Sequence, residues 1–552
     1  MVNTEGFNPA PGEWNATLAC DYLWSNVNFG EAITESMTPL TWSVLAFTLD
    51  DWLFVPGIPS VGNIGGRPYL NISAFATVFR VMGRDQADLL RATEATLYMR
   101  LPDEMEIPLI PLTVGGRLTS VVNGLRVQAK QRAGVQRVNA YLAANPSWFE
   151  RTRARVQACD RDGLRDLWQD EISPHVKRGV WCVLGIATHS ADYTMGLRRE
   201  LAGLVGPDDA SVLIANVGGG GGLASLGPMV GLASVARREM SRDAYLQTYG
   251  HRGPNEFELS VPRPVEDPGW LDRELATIRA SSVDIEALLA GQREAFDAAW
   301  ARFRSRFPRK ADALARRLAE SARRARLREL ARSEYVRDRW MVRLFARRVG
   351  KLSGLGDDIF FLTLAEMLGL LTGDEAPLSA ISARKETYLR YKSLPAYPSV
   401  IRGQFDPFRW AADAERRTDI FDGRAFASAT ASAPAPNRGR KNVITGSPAS
   451  AGRVEGLVRC LASPEEGRDF RQGEVLVAVQ TDIAWTLIFP RAAAVVTDVG
   501  APLSHAAIVA RELGIPAVVG CGDATRRLKT GDRVRVDGGA GTVTLMSDAY
   551  CS

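Results

Sequence analysis

Two short stretches hold the residues whose types and spacing could do chemistry. The first, residues 497–520, reads TDVGAPLSHAAIVARELGIPAVVG. The apolar run 492–496 before it predicts a buried strand, and Gly500 and Pro502 break that strand. Ser504 is of a helix-capping type. That puts His505 in the first turn of a short helix built from Ala506, Ala507, Ile508, Ala510 and Leu513. Gly514 ends the helix and Pro516 confirms the stop; residues 517–519 predict the next strand. A helix N-terminus presents unpaired backbone N–H groups and a partial positive charge, which together favour a phosphate. An imidazole placed there is a nucleophile beside a cradle for the phosphoryl group it would carry. A lone histidine is more often a cap or core residue, but the Gly/Pro turn, the Ser-His pair and the Ala-rich helix favour the nucleophile.

The second stretch, residues 249–259, reads YGHRGPNEFEL. His251, Arg252, Glu256 and Glu258 fall within eight positions of one another, on a turn bracketed by Gly250 and broken by Gly253 and Pro254. A turn this polar is costly to bury unless its groups pair. Two readings stay open. The groups form a His/Arg–Glu network that braces the loop, or His251 or a carboxylate takes a proton from an acceptor hydroxyl while Arg252 steadies a phosphoryl charge. A third stretch, VGGGGGL at 217–223, has the glycines of a phosphate loop, but no Gly-Lys-Ser/Thr follows. It is expected to be a loop between helices that could line a substrate cavity.

The run 500–511, GAPLSHAAIVAR, resembles the phosphohistidine swivelling domain of the PEP-utilising enzyme family, closest to its rifampicin phosphotransferase and phosphoenolpyruvate synthase-like members. The resemblance extends over residues 443–545. It departs at Ala501, where the family carries a second Gly, and at Leu503, where the dikinases carry Thr. GEAITESMTPL at 30–40, GRPYLN at 66–71, the Gly-x-Arg-x-x-x-Glu turn at 250–256 and the segment 333–366 resemble parts of the substrate domain of the rifampicin phosphotransferase branch. The resemblance implies that His505 is phosphorylated in mid-cycle, that Ser504 and Arg511 stabilise phosphate, and that Glu35, Met37, Arg67 and Glu258 contact substrate. In that branch an ATP-grasp domain charges the histidine from ATP with Mg2+. No nucleotide loop with its Lys is found here, so a separate ATP-grasp subunit is expected to load His505, with neither cofactor nor metal bound tightly by this chain. The expected function is a phosphotransferase component acting on a hydroxyl of a small molecule, such as a natural product. Two alternatives are a phosphorylation–elimination dehydratase or lyase, and a non-catalytic binding homologue.

Elements and domains must position these residues. The 552 residues suffice for two to four domains. The net charge of +5 is too slight to argue nucleic acid. The absence of a run of about 18 apolar residues argues against a membrane span. Six scattered cysteines without a CxxC pair, and no signal-peptide pattern, predict free thiols in the cytoplasm. The fold class is multidomain α+β, a large, mostly helical substrate domain plus a C-terminal β/α swivelling phosphohistidine domain. Residues 1–125 form the mixed N-terminal part of the substrate domain, with a turn and short strand at 63–71. Residues 126–424 form its helical part. Residues 425–441 are an Ala/Ser/Pro-rich linker, and 442–552 the swivelling domain, with strands at 454–460, 474–479, 492–496, 517–519 and 534–536. The Arg-rich run 303–349 is divided by Pro308. It reads as a solvated helix face with Leu314, Leu318, Leu327 and Leu330 as its core stripe rather than as a nucleic-acid surface. The turn 481–486, TDIAWT, is expected to guard His505.

Overall fold

The computed structural model describes residues 7–8, 13–18, 20–27, 29–30, 33, 35–85, 88–89, 106–215, 226–280, 285–413, 416–424, 442–502 and 504–546. The readings of the glycine run 217–223, the linker 425–441 and Leu503 lie outside the described residues. The chain divides into two compact units. The first comprises Met1–Ile186, Asn255–Arg263 and Ala331–Ala433, and the second Ala187–Pro254, Pro264–Leu330 and Pro434–Ser552.

In the first unit a small sheet runs in the order Val61–Ile64, Arg67–Asn71, Leu23–Ser25, Val400–Arg402, Ile420–Asp422. Residues near the start of the chain thus pair with residues almost 400 positions later. The predicted turn and strand at 63–71 is the second half of a hairpin, whose other strand is Val61–Ile64. Gly65 and Gly66, at φ +55° and +83°, form its two-residue turn, a conformation that glycine adopts without strain. Gly62 interrupts the alternation that would have marked the first strand, because a Cβ there would meet the Trp24 ring at 2.5 Å. The remainder is helical, with Val114–Ala158 as its longest described helix. The core joins Phe149, Trp168, Ile172 and Val176 to Met341, Phe345 and Phe360.

The second unit carries an eight-stranded sheet. Its centre is four parallel strands, Arg453–Cys460, Val475–Ala478, Ala494–Thr497 and Ala517–Val519. Both faces are covered, which explains the unbroken apolar runs. Val475, Val477, Val496 and Val518 pack with Val534 and Val536 on one face. Leu476, Ala478, Val495 and Val519 pack under Ala506, Ala507 and Ala510 on the other. The predicted strands hold to within two residues at either end. Pro308 divides the Arg-rich run as expected, between the helices Ile285–Arg306 and Ala311–Leu352. Leu330, expected in the core stripe, is instead 38% exposed. The helix changes its packing partners there, since Leu330 is the last residue of its stretch in the second unit. No described helix is long and apolar enough to cross a membrane.

Candidate functional site

The loops that follow the parallel strands gather at one edge of the sheet, where open α/β sheets bind their ligands. After Ala494–Thr497 the chain turns through Gly500, at φ +149°, and enters the helix His505–Leu513. Ser504 caps it, its Oγ accepting from Ala507 N at 3.1 Å. Gly514 ends it at φ +71° in the left-handed region. His505 therefore occupies the first helical position, next to the donor end of the helix.

After the neighbouring strand Val475–Ala478 the turn at 481–486 becomes a short 3-10 helix, Ile483–Leu487, capped by Asp482. Thr486 Oγ1 lies 3.3 Å from His505 Nε2 and donates to Ile483 O at 2.7 Å. With its proton directed to that carbonyl, the hydroxyl presents its oxygen to the imidazole, and which ring nitrogen carries the proton is set by the tautomer. The Phe489 ring meets the imidazole edge-on at 6.2 Å. Trp485 is buried in the core behind it.

Arg511 lies in the last turn of the same helix. Its Nη2 donates to Ala449 O at 2.7 Å and to Pro502 O at 2.8 Å, and its Nε to Ala449 O at 3.2 Å. Burial, then the nearby Arg198, pull this guanidinium down to about 9. It ties the loop before His505 to the edge strand Ser447–Ser450. Arg198 Nη2 donates to the adjoining Pro448 O at 3.1 Å. Asp498, which the sequence reading did not single out, follows the strand Ala494–Thr497 directly. It is buried, accepts from Thr525 N at 3.1 Å and from the Thr525 hydroxyl, and is pushed up to about 6, chiefly by burial. The only signal in the sequence is a carboxylate at the end of an apolar strand.

The polar turn is divided between the units. His251 and Arg252 belong to the second, Glu256 and Glu258 to the first. All four are buried. In the second unit the helix Arg242–Tyr249 runs into Gly250, where a Cβ would meet Leu246 O at 2.3 Å. Tyr249 O then accepts from Arg252 N at 2.7 Å. Leu487, next to Thr486, packs against the cluster of Leu232, Tyr245 and Leu271, as does Tyr249. The turn beside His505 and the helix leading to His251 thus share one apolar cluster.

In the first unit Glu256 pairs with Arg332 at 3.1 Å. Glu258 accepts from Thr38 N at 3.0 Å, from the Thr38 and Thr41 hydroxyls at 2.9 Å and from Ser260 N at 2.8 Å, which ties it to the start of the helix Pro39–Thr48. Glu35 pairs with Lys392 at 3.1 Å. Arg67 donates to Pro395 O and Leu394 O and lies 4.0 Å over the Tyr397 ring. Met37 N donates to Gly66 O at 2.8 Å. Met37 also lines a small recess with Trp14, Ser36, Arg384, Tyr388 and Tyr391. The bond to Gly66 brings Met37 beside the residue preceding Arg67, an adjacency that their spacing of thirty positions did not reveal.

Residues 470–541 match the family described as PEP-utilising enzyme, mobile domain, and residues 230–331 match the rifampicin phosphotransferase fourth domain. The first match encloses His505 and the second encloses His251 and Arg252. It is 32% identical over 191 residues to a rifampicin phosphotransferase of Streptomyces sviceus, covering 35% of this chain and 19% of that one. It is 29% identical over 316 residues to the prodigiosin synthesizing transferase PigC of Serratia marcescens, covering 55% and 33%. It is 48% identical over 105 residues to a probable phosphoenolpyruvate synthase of Staphylothermus marinus, covering 19% and 13%. The chain spans about a third or less of the length of the curated relatives it matches.

Proposed function

We propose that this chain is a phosphotransferase component that carries a phosphoryl group on His505 and delivers it to a hydroxyl of a small molecule. The observation that carries this reading is the setting of His505. It stands at a capped helix N-terminus at the ligand-binding edge of a parallel sheet, and its neighbour Thr486 belongs to a turn that packs on the cluster leading to His251. The mobile-domain match and the rifampicin phosphotransferase relative support it.

In the charging half, the unprotonated ring nitrogen of His505 attacks the terminal phosphorus of ATP. The N–P bond forms as the bond to the bridging oxygen breaks, and ADP leaves with that electron pair. ATP and Mg2+ are held by a separate ATP-grasp chain. The helix N-terminus receives the phosphoryl oxygens, and Ser504, whose oxygen already serves as the cap, offers them its hydroxyl proton. Arg511 acts by holding the loop 500–504 in place.

In the delivery half, an acceptor oxygen attacks the phosphorus in line and the N–P bond returns its electrons to the ring. His251 takes the acceptor's proton and Arg252 meets the developing charge. Glu256 and Glu258 anchor the first unit's part of the turn, and Glu35, Met37 and Arg67 are the residues proposed to contact the small molecule, Met37 from the recess that it lines. PigC and rifampicin phosphotransferase, by their names, act on natural products, and the acceptor class proposed here is the same.

The test incubates the full chain with a candidate ATP-grasp protein, labelled ATP and a panel of hydroxylated natural products. Acid-labile label on the wild type but not on His505→Ala, and a product heavier by one phosphoryl group, are expected. A product lighter by one water, or label that survives His505→Ala, would overturn the reading.

A further inference from the structure

The sheet that carries His505 is seated on helices of the same unit that lie well before it in sequence. Leu226 and Met229, at the start of the helix Gly227–Ala236, are buried in the apolar cluster of Ala506, Ala507 and Ala510. Ile285 and Leu289 of the helix Ile285–Arg306 pack against that cluster. Two glycines on the sheet side make room for the seat. Gly514 already serves a left-handed turn at φ +71°, and a Cβ there would stand 2.1 Å from Gln292 Nε2. Gly539 has no positive φ to explain it, and a Cβ there would stand 2.7 Å from Asp208 Oδ1.

Polar bonds fix the seat, each of them to main chain of the sheet region. Arg198 Nη2 donates to Pro448 O at 3.1 Å, Ala451 N donates to Ser211 Oγ at 3.5 Å, and Gln292 Nε2 donates to Arg511 O at 3.3 Å. The last of these meets a carbonyl in the final turn of the His505 helix, where carbonyls lack their helical partners. The Arg511 side chain holds the loop before His505 through Pro502 O. Gln292 thus grips the frame of the imidazole from a helix outside it. The grip is weaker than a permanent core would make it. Gln292 is 9% exposed, and its Oε1 is buried without a hydrogen-bond partner, a cost that an apolar side chain in its place would avoid. Arg198 and Arg511, of one sign, lie near enough for Arg198 to add to the burial that lowers the Arg511 guanidinium. Long bonds, an unmet acceptor and neighbouring cations are features of a contact that opens, as interfaces between moving parts do.

In the seated pose the turn beside His505 packs, through Leu487, on the cluster that leads to His251. We propose that Gln292 is a positioning residue for phosphoryl delivery. It latches the C-terminal end of the His505 helix in the pose that serves the acceptor side, and it releases the helix when the histidine is to be charged. The latch takes its purpose from the phosphotransfer reading, but its opening is measured without it.

The full chain carrying Ser211→Cys tests it. The thiol at 211 faces Ala451 N and is reached by N-ethylmaleimide when the seat opens. Cys521, buried in the core of the sheet, is reached when the sheet unfolds. Peptide mapping reads the two rates together. Labelling at 211 is expected to outpace labelling at Cys521 and to change little in dilute urea, because unseating exposes far less surface than unfolding does. Gln292→Glu has the same shape but no donor, and sets a charge against Arg511 O. It should speed labelling at 211 about tenfold, with Cys521 still protected and the helical circular dichroism unchanged. Gln292→Ala should give a smaller rise in the same direction. Equal rates with and without the Gln292 substitutions would overturn the latch. So would labelling at 211 and Cys521 in step, which would make the contact part of the general stability of the fold. His505 left unlabelled by phosphoramidate in a chain whose latch responds would instead overturn the phosphotransfer reading, and with it the role in delivery.

Discussion

The two regions that hold candidate residues are built in opposite ways. Around His505 nearly everything that positions the imidazole lies within a few residues of it in sequence: the Ser504 cap, the Gly500 turn, the Gly514 stop, and one neighbouring loop that brings Thr486 to 3.3 Å. In the first unit the candidate residues are held by partners hundreds of positions away. Glu258 accepts from Thr38 and Thr41, and Arg67 donates to Leu394 and Pro395 carbonyls. A reactive group presented by local structure can keep its geometry while its surroundings change, as suits a group that has to serve two partners. A recess assembled from distant strands depends on the whole unit and suits the recognition of one shape.

Substitutions can break or sharpen that contrast. The largest effect is expected at Glu258. Glu258→Ala leaves the buried Thr38 N–H and two hydroxyls without their acceptor and should cost about 3 kcal/mol in stability, measured by denaturant unfolding of the first unit's tryptophans. An effect near zero would mean that the distant network does not hold the first unit together.

Next comes Asp498, whose carboxyl is raised to about 6 from 3.8 by burial. The folded state binds this proton more tightly than the unfolded chain does. The associated stability is therefore complete below about pH 4 and is lost as pH rises through about 6. Asp498→Asn keeps an acceptor for Thr525 N and offers a donor to the Thr525 hydroxyl, but has no charge to bury. It should exceed the wild type by roughly 3 kcal/mol at pH 8, with the gap closing towards pH 4. A gap constant with pH would show that Asp498 does not titrate in this range.

Thr486→Val keeps the shape of the turn and removes the hydroxyl beside His505. The rate of phosphoryl transfer should fall about tenfold, equivalent to about 1.4 kcal/mol in the barrier, while the melting temperature changes little; single-turnover kinetics would measure it. An unchanged rate would remove Thr486 from the positioning of the ring. Smallest is Ser504→Ala, which should cost about 1 kcal/mol through loss of the helix cap, read in the unfolding of the second unit.

The same contrast explains what was legible in the sequence. Capping, helix length and strand runs are local chemistry, so the five predicted strands between 453 and 537 and the helix at 505 were readable to within two residues at their ends, while the short helices Pro464–Asp469 and Ala524–Arg527 were not. Asp498 was overlooked because a carboxylate after a strand is ordinary until its burial is known. The pairings of Glu256 with Arg332 and of Glu35 with Lys392 bridge 76 and 357 positions, and no periodicity encodes them. The hairpin at 61–71 was half-hidden because Gly62 yields its side chain to Trp24. The solvated reading of the Arg-rich run holds only for its first part, as in the pair Arg323–Glu320; from Ala331 on the helix is core, with Arg339 and Arg343 buried and donating to the Phe257 and Leu259 carbonyls, a burial that the density of arginines concealed.

The central claim is that the imidazole at 505 itself bears the phosphoryl group. Its most direct test is to treat the full chain with phosphoramidate, a small phosphoryl donor that needs no partner protein, and to map the modified residue by mass spectrometry at alkaline pH. One phosphoryl group on His505, stable in base, lost in mild acid and absent from His505→Ala, is the predicted result. Modification of other histidines with His505 untouched, or an acid-stable adduct elsewhere, would contradict it.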